Sequence, residues 1–231
     1  MTNLDRLIAE LCPDGVEFVE LGNIAHFRRG SFPQPYGNRE WYDGDDAMPF
    51  VQVADVNNNM TLIEDTKRKI SKLAQPMSVF VPTGTVVVTL QGSIGRVAIT
   101  QYDCYVDRTL AIFERLNDNV DKKYFALQLE SIFRVKAETA RGSTIKTITK
   151  EEFTVFPIPL PPLEIQRKIV EILDNFTELT AELTAELTAR KKQYEYYRDF
   201  LLTFDREADT IFDRQTDRQT GKVADSGRDC D

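Results

Sequence analysis

The stretch "FTELTAELTAELTAR" (176–190) carries Thr-Ala-Glu-Leu twice in tandem, after a partial copy at 177–179. It lies inside a run, 163–204, that contains neither proline nor glycine. About 40 residues rising 1.5 Å each predict a helix on the order of 60 Å long, beyond the span of an ordinary globular helix. Apolar residues recur at Ile165, Ile169, Ile172, Phe176, Leu179 and Leu183 in steps of four and three, which is a heptad seam. Leu187 adds a further step of four, a stutter, before Tyr194, Tyr197 and Leu201 resume near-heptad spacing. The pattern predicts a coiled coil with Ile165, Ile169, Ile172, Phe176, Leu179, Leu183, Leu187, Tyr194 and Leu201 at its interface.

Working back along the chain, "FPIPLPPLEIQ" (156–166) places four prolines before the helix, where proline can open a helix but not continue one. Upstream, from 16 to 115, the signals are mostly β. Residues 86–90 and 96–100 read as strands around a turn holding Gly92 and Gly95, and "YVDRTLAIFERL" (105–116) reads as a third strand. "RRGSFPQPYGNREWYDGDD" (28–46) is too polar and Gly/Pro-rich for a strand and too long for a tight turn, so an ordered surface loop is expected. Helical spacing marks 121–140 and, more briefly, 1–14, which Pro13 ends. "RGSTIKTITKEEF" (141–153) reads as a loop and a short strand. The fold class is therefore α+β: a β-rich globular domain (1–155), a proline-rich junction and long coiled-coil helix (156–204), and a tail (205–231). That tail duplicates "DRQT", lacks a periodic apolar face and reads as disordered.

Composition narrows the function classes. A chain of 231 residues can bury one core and leave an element over. No run approaches the 18 or so apolar residues of a spanning helix. The start, "MTNLDRLIAELCPDGVEF", is acidic where an export signal is basic and then apolar, which predicts a cytoplasmic chain. Cys12, Cys104 and Cys230 are odd in number, far apart and without zinc-ligand spacing, as in a reducing compartment. A net charge of −8 argues against simple non-specific nucleic-acid binding, yet residues 66–150 hold 14 Lys and Arg against 7 Asp and Glu. Such a middle either presents a positive face to phosphate or scatters its charges over all faces.

Catalytic patterns fail one by one. "FPQPYG" has Gln34 before a single Pro35, so it misses the Asp/Asn-Pro-Pro-aromatic loop of amino-methyltransferases. "QGSIGR" (91–96) lacks the Lys-Ser/Thr ending of a phosphate loop and reads better as a tight hairpin turn. His26, the single histidine, has no companion at metal-ligand spacing. "PDGVEFVE" (13–20) is followed by no Glu-x-Lys of a nuclease centre.

The segment "IPLPPLEIQRKIVEILDNFTELTAELTAELTARKKQYEYYRDFLLTF" resembles the spacer region of specificity subunits of type I restriction–modification systems. "LCPDGVEFVELGNIAHFRRG", "VPTGTVVVTLQGSIGRVAI" and "RGSTIKTITKEEFTVFPIPLPP" resemble landmarks of their target-recognition domain, in the same order. The resemblance implies a non-catalytic reader of double-stranded DNA that binds no cofactor itself. It also implies modification subunits that use S-adenosylmethionine and restriction subunits that use ATP and Mg. A complete subunit of that family has two reading domains, each followed by a long helix, with the helices paired antiparallel. One domain and one helix stand here. A second copy would cover the apolar stripe, and its two-fold symmetry implies a gapped inverted-repeat site. Each Thr-Ala-Glu-Leu unit spans about 6 Å against about 3.4 Å per base step, so one unit would re-space two such readers by one or two base pairs. The competing reading is slippage of a short DNA repeat in a tolerant helix without functional consequence, and a repeat that arose by slippage can still serve as a spacer. The function reading from a different class is a coiled-coil assembly or regulatory protein whose β-rich domain binds protein.

Base reading calls for Arg, Lys, Gln or Asn on loops, because these make paired hydrogen bonds to base edges. The candidates are Arg28, Arg29, Asn38 and Arg39 on the long loop, Gln91, Ser93 and Arg96 at the central turn, and Arg141, Ser143 and Lys146 on the later loop. A solvated surface residue is the competing role for each. Lys67, Arg68, Lys69 and Lys72 suit phosphate neutralisation, and Trp41 and Tyr42 suit anchoring of the loop.

Overall fold

The structure is a computed structural model and describes residues 3–139 and 150–203. The chain divides into two compact units, the first ending at Ile172 and the second beginning at Leu173.

In the first unit, helix α1 (Asn3–Leu11) leads to strand β1 (Phe18–Glu20), the short helix α2 (Leu21–Ile24) and strand β2 (Ala25–Arg29). The next strands are β3 (Met48–Val51), β4 (Lys69–Ile70), β5 (Val79–Val81), β6 (Val86–Thr89), β7 (Val97–Ile99), β8 (Cys104–Val106) and β9 (Leu110–Leu116). Helices α3 (Lys122–Thr139) and α4 (Lys150–Thr154), strand β10 (Pro157–Pro159) and helix α5 (Leu163–Thr203) complete the order.

Two four-stranded sheets, β2-β9-β6-β7 and β4-β3-β8-β5, supply the layers, and β1 pairs with β10. Side chains of a strand alternate between its faces. On β6, Val86 and Val88 join Phe27, Phe113, Phe125, Leu129, Phe133 and Phe153 in a core shared with α3 and α4. Val87 turns the other way and meets Val51, Val79, Val81, Cys104 and Val106 of the second sheet. That two-sided burial is why β6 is an unbroken valine run. Beyond the second sheet a third cluster forms from Phe32, Phe50, Ile70 and Ala74, packed by Tyr36, Trp41, Tyr42, Met48 and Tyr105. The residues of the long loop are thus ordered by aromatic packing on β3, β4 and β8.

The architecture is the expected α+β, a β-rich domain and a long helix, with four differences in detail. The expected strand 105–116 is two strands in different sheets. The Asp107 carboxylate accepts from Thr109 N at 2.9 Å and Thr109 Oγ1 at 2.7 Å, a local turn that breaks the run. Arg28 and Arg29 end strand β2 instead of sitting on the loop. The segment Lys150–Thr154 is helical, not extended, with Phe153 buried beside Phe27 and Phe133. Ile165 is 1% exposed, so it belongs to this chain's own interior and cannot face a partner helix.

Gln166 explains that last change. Its amide is fully buried, accepts from Asp121 N at 2.8 Å and donates to the carbonyls of Asn119 at 2.9 Å and Pro161 at 2.8 Å. A buried amide this well satisfied clamps the first turn of α5 to the chain entering α3. Ile169 and Ile172 are half-buried. From Phe176 onward the seam is open, with Phe176 62%, Leu183 57% and Leu201 63% exposed. In the repeat, Thr180, Thr184 and Thr188 return their hydroxyls to the carbonyls four residues back, which satisfies them within the helix. Positions 204–231 lie outside the described residues, and so does the tail expected there.

Candidate nucleic-acid interface

The turn between β8 and β9 gathers the segments that carry most of the sequence candidates. Gly30 N donates to Leu110 O at 3.1 Å and Ser31 N to Val106 O at 3.1 Å, so the long loop leaves β2 along this turn. A Cβ at Gly30 would lie 2.2 Å from the Val106 carbonyl oxygen, a close approach that only glycine allows. Leu90 N donates to Thr109 O at 2.8 Å, which brings the central hairpin to the same place. Tyr36 then closes the loop by donating its phenol to Asp107 Oδ2 at 2.7 Å.

Each candidate has a specific setting. Arg28 is exposed and 3.8 Å from Glu114, whose carboxylate also lies 3.2 Å from His26 Nδ1. Arg29 is exposed at the end of β2. Asn38 caps a 3₁₀ turn, Arg39–Trp41, by accepting from Glu40 N at 3.2 Å, a structural task. Arg39 is exposed in that turn. At the central turn Gln91 is half-buried and Ser93 exposed, while the Ser93 carbonyl accepts from Thr89 Oγ1. Arg96 spends one guanidinium nitrogen on Val56 O at 3.2 Å. Arg141, Ser143 and Lys146 lie outside the described residues.

Charge in the basic segment is partly compensated. Lys69 lies 3.5 Å from Asp65 and Lys72 2.8 Å from Asp46. Asp55, fully buried, accepts from Lys67 N at 3.2 Å and Gln52 N at 2.8 Å and so fixes where the segment starts. Arg68 is different, since its guanidinium lies over the Tyr42 ring, 4.8 Å from the centroid. Tyr42 in turn donates to Tyr36 O at 2.9 Å and packs, with Trp41, in the third cluster, as expected of anchors.

Sequence reasoning passed over Arg108, which lies over the Tyr36 ring at 5.0 Å. The available signal was "VDRT" (106–109): Asp two residues before Thr is a turn signature, and it would have put Arg108 on a turn. Burial, and then the bond to Asp107, push the Tyr36 phenol above the usual tyrosine range, so it stays a donor near neutral pH. Among the described residues no cluster of His, Cys, Asp and Glu is placed to hold a metal ion, and no helix is long and apolar enough to cross a membrane. Around the β8–β9 turn the loop side chains are held by aromatic packing and hydrogen bonds, with Arg68 and Arg108 exposed above tyrosine rings.

Residues 13–190 match the family model of the type I restriction modification DNA specificity domain. The chain is 32% identical over 203 residues to the EcoprrI specificity subunit of Escherichia coli, covering 82% of this chain and 50% of that protein. A putative type I restriction enzyme specificity subunit of Haemophilus influenzae is 52% identical over 199 residues, covering 80% and 48%. In each case the chain spans about half the length of the curated relative it matches. The fold is also that of the HsdS subunit from Thermoanaerobacter tengcongensis, with a TM-score of 0.56 at 24% identity over 79% of this chain and 44% of that one. A chain solved for the assembly of a type I R-M system gives 0.63 at 23% identity over 84% and 48%.

Proposed function

The chain belongs to the type I restriction–modification DNA specificity family, and from that premise we propose that it reads DNA sequence for a methyltransferase and restriction complex and is not itself an enzyme. Its loops on the outer face of the second sheet, together with the β6–β7 turn, meet base edges. Two copies pair antiparallel through α5 in the cytoplasm, read a gapped inverted repeat, and recruit modification and restriction subunits. S-adenosylmethionine, ATP and Mg belong to those partners.

The observation that carries the dimer is the open seam on α5. Phe176, Leu179, Leu183, Leu187, Tyr194 and Leu201 are each between 49% and 67% exposed. Apolar side chains at heptad-like spacing are stable in water only when a second helix covers them. The Thr-Ala-Glu-Leu units then act as a spacer between the two readers.

Mapping adenine methylation in a methylation-free host that expresses the chain with its matching modification subunit tests the whole reading. A single gapped inverted-repeat motif is the expected result. An asymmetric gapped motif would replace the second copy with a different reader. Soluble, associated subunits that leave no motif would favour a coiled-coil assembly protein.

A further inference from the structure

Arg68 and Arg108 share one aromatic scaffold. Tyr36, under Arg108, and Tyr42, under Arg68, both stack on Phe32, with centroids 5.1 Å and 5.2 Å away and planes inclined by 24° and 25°. Phe32 is 7% exposed and rests on Phe50 at 4.6 Å, so the scaffold is rooted in β3. Two hydrogen bonds lock it: Tyr42 to Tyr36 O at 2.9 Å, and Tyr36 to Asp107 at 2.7 Å. Both arginines are exposed, and among the described residues neither has a carboxylate within ion-pair distance, unlike Arg28, Lys69 and Lys72.

Phosphate neutralisation needs a charge and little else. Recognition of a guanine edge needs the planar fork of arginine held in a set direction, and a ring beneath the guanidinium provides that before DNA arrives. We propose that Arg68 and Arg108 are specificity-determining residues, each directing its guanidinium to the O6 and N7 acceptors of a guanine. The assignment rests on the DNA-reading function proposed above. One cluster carries both forks, so it sets their separation and hence the spacing of the two guanines.

The test is selection of bound sequences from a randomised duplex library by the chain in complex with its modification subunit, comparing wild type with Arg68→Lys and Arg108→Lys. Lysine keeps the charge but loses the fork. Each variant is expected to relax the preference at one G·C position roughly tenfold. Affinity for random DNA, its salt slope and the thermal midpoint should stay as in wild type. A motif unchanged in a lysine variant overturns the assignment of that arginine. Arg68→Ala and Arg108→Ala complete the test: if they weaken binding uniformly across all sequences and reduce the salt slope by about one, both arginines are phosphate contacts and both assignments are overturned. A wild-type complex that selects no sequence overturns the DNA-reading function itself, and this assignment with it.

Discussion

Tyr36 and Asp107, 71 positions apart, are joined by a 2.7 Å hydrogen bond that fastens the long loop to the β8–β9 turn. Asp107 is 2% exposed, and its other oxygen is taken by Thr109. In Tyr36→Phe the ring still stacks on Phe32, but Asp107 Oδ2 loses this donor. The expected cost is about 1–3 kcal/mol, read from urea unfolding. An unchanged midpoint would show that the bond does not hold the loop.

Gln166, at zero exposure, joins the first turn of α5 to the entry of α3 by two hydrogen bonds, to Asn119 O and Asp121 N, and makes a third to Pro161 O just before its own helix. Gln166→Leu leaves a buried N–H and two carbonyls without that partner. A loss of about 3 kcal/mol follows if even part of the desolvation cost is realised. Equilibrium denaturation of the variant measures it, and a loss below about 1 kcal/mol would mean that water replaces the amide.

Gly95 has φ +84° and its missing Cβ would lie 2.4 Å from Phe133 Cβ on α3. Gly95→Ala meets both backbone strain and overpacking, which together predict a destabilisation on the order of 3 kcal/mol. Gly37→Ala meets nothing within 4 Å and serves as the control. Thermal unfolding of the two should differ clearly.

Burial pushes Cys104 up to about 12, with Asp103 adding to it, and burial does the same for Tyr102 and Tyr124. All three folded values lie above the unfolded ones, about 9 for the thiol and about 10 for the phenols. The stability from keeping them neutral is therefore complete below about pH 9 and is lost as pH rises toward about 12. The urea midpoint should hold from neutral pH to about 9 and then fall. Native Cys104 should also resist a thiol reagent at about pH 8 until the chain unfolds. Fast native labelling would refute its burial.

Leu183 is 57% exposed in the middle of the repeat. Under the proposed dimer, Leu183→Glu puts a charge in the seam, so sedimentation velocity should show a monomer while the unfolding of the β-rich domain is unchanged. Deleting residues 180–183 should instead keep the dimer and shorten the gap of the methylated site by one or two base pairs, as a rise of about 6 Å requires. A variant dimer as tight as wild type would count against the seam, and an unaltered gap against the spacer.

Much of the fold was legible because its signals are local. The absence of proline and glycine from 163 to 204 marked out α5, Leu163–Thr203, since helix bonds join residues four apart. The valine-rich runs on either side of Gly92 and Gly95 likewise marked β6 and β7. The site was legible only in outline: Tyr42 and Trp41 as anchors were readable, and Arg108 could have been placed on a turn, but not over the Tyr36 ring.

By itself the sequence determined a β-rich domain, a long helix and the face of that helix that stays apolar, because periodicity along one segment dictates which side seeks burial. Tertiary structure alone decided that Ile165 lies inside the chain, that Asp107 divides one apparent strand between two sheets, and that Tyr36 and Tyr42 hold Arg108 and Arg68. Those outcomes depend on which distant segments meet. Single contacts such as a carboxylate at a phenol or a guanidinium on a ring leave no repeating trace in the chain that makes them.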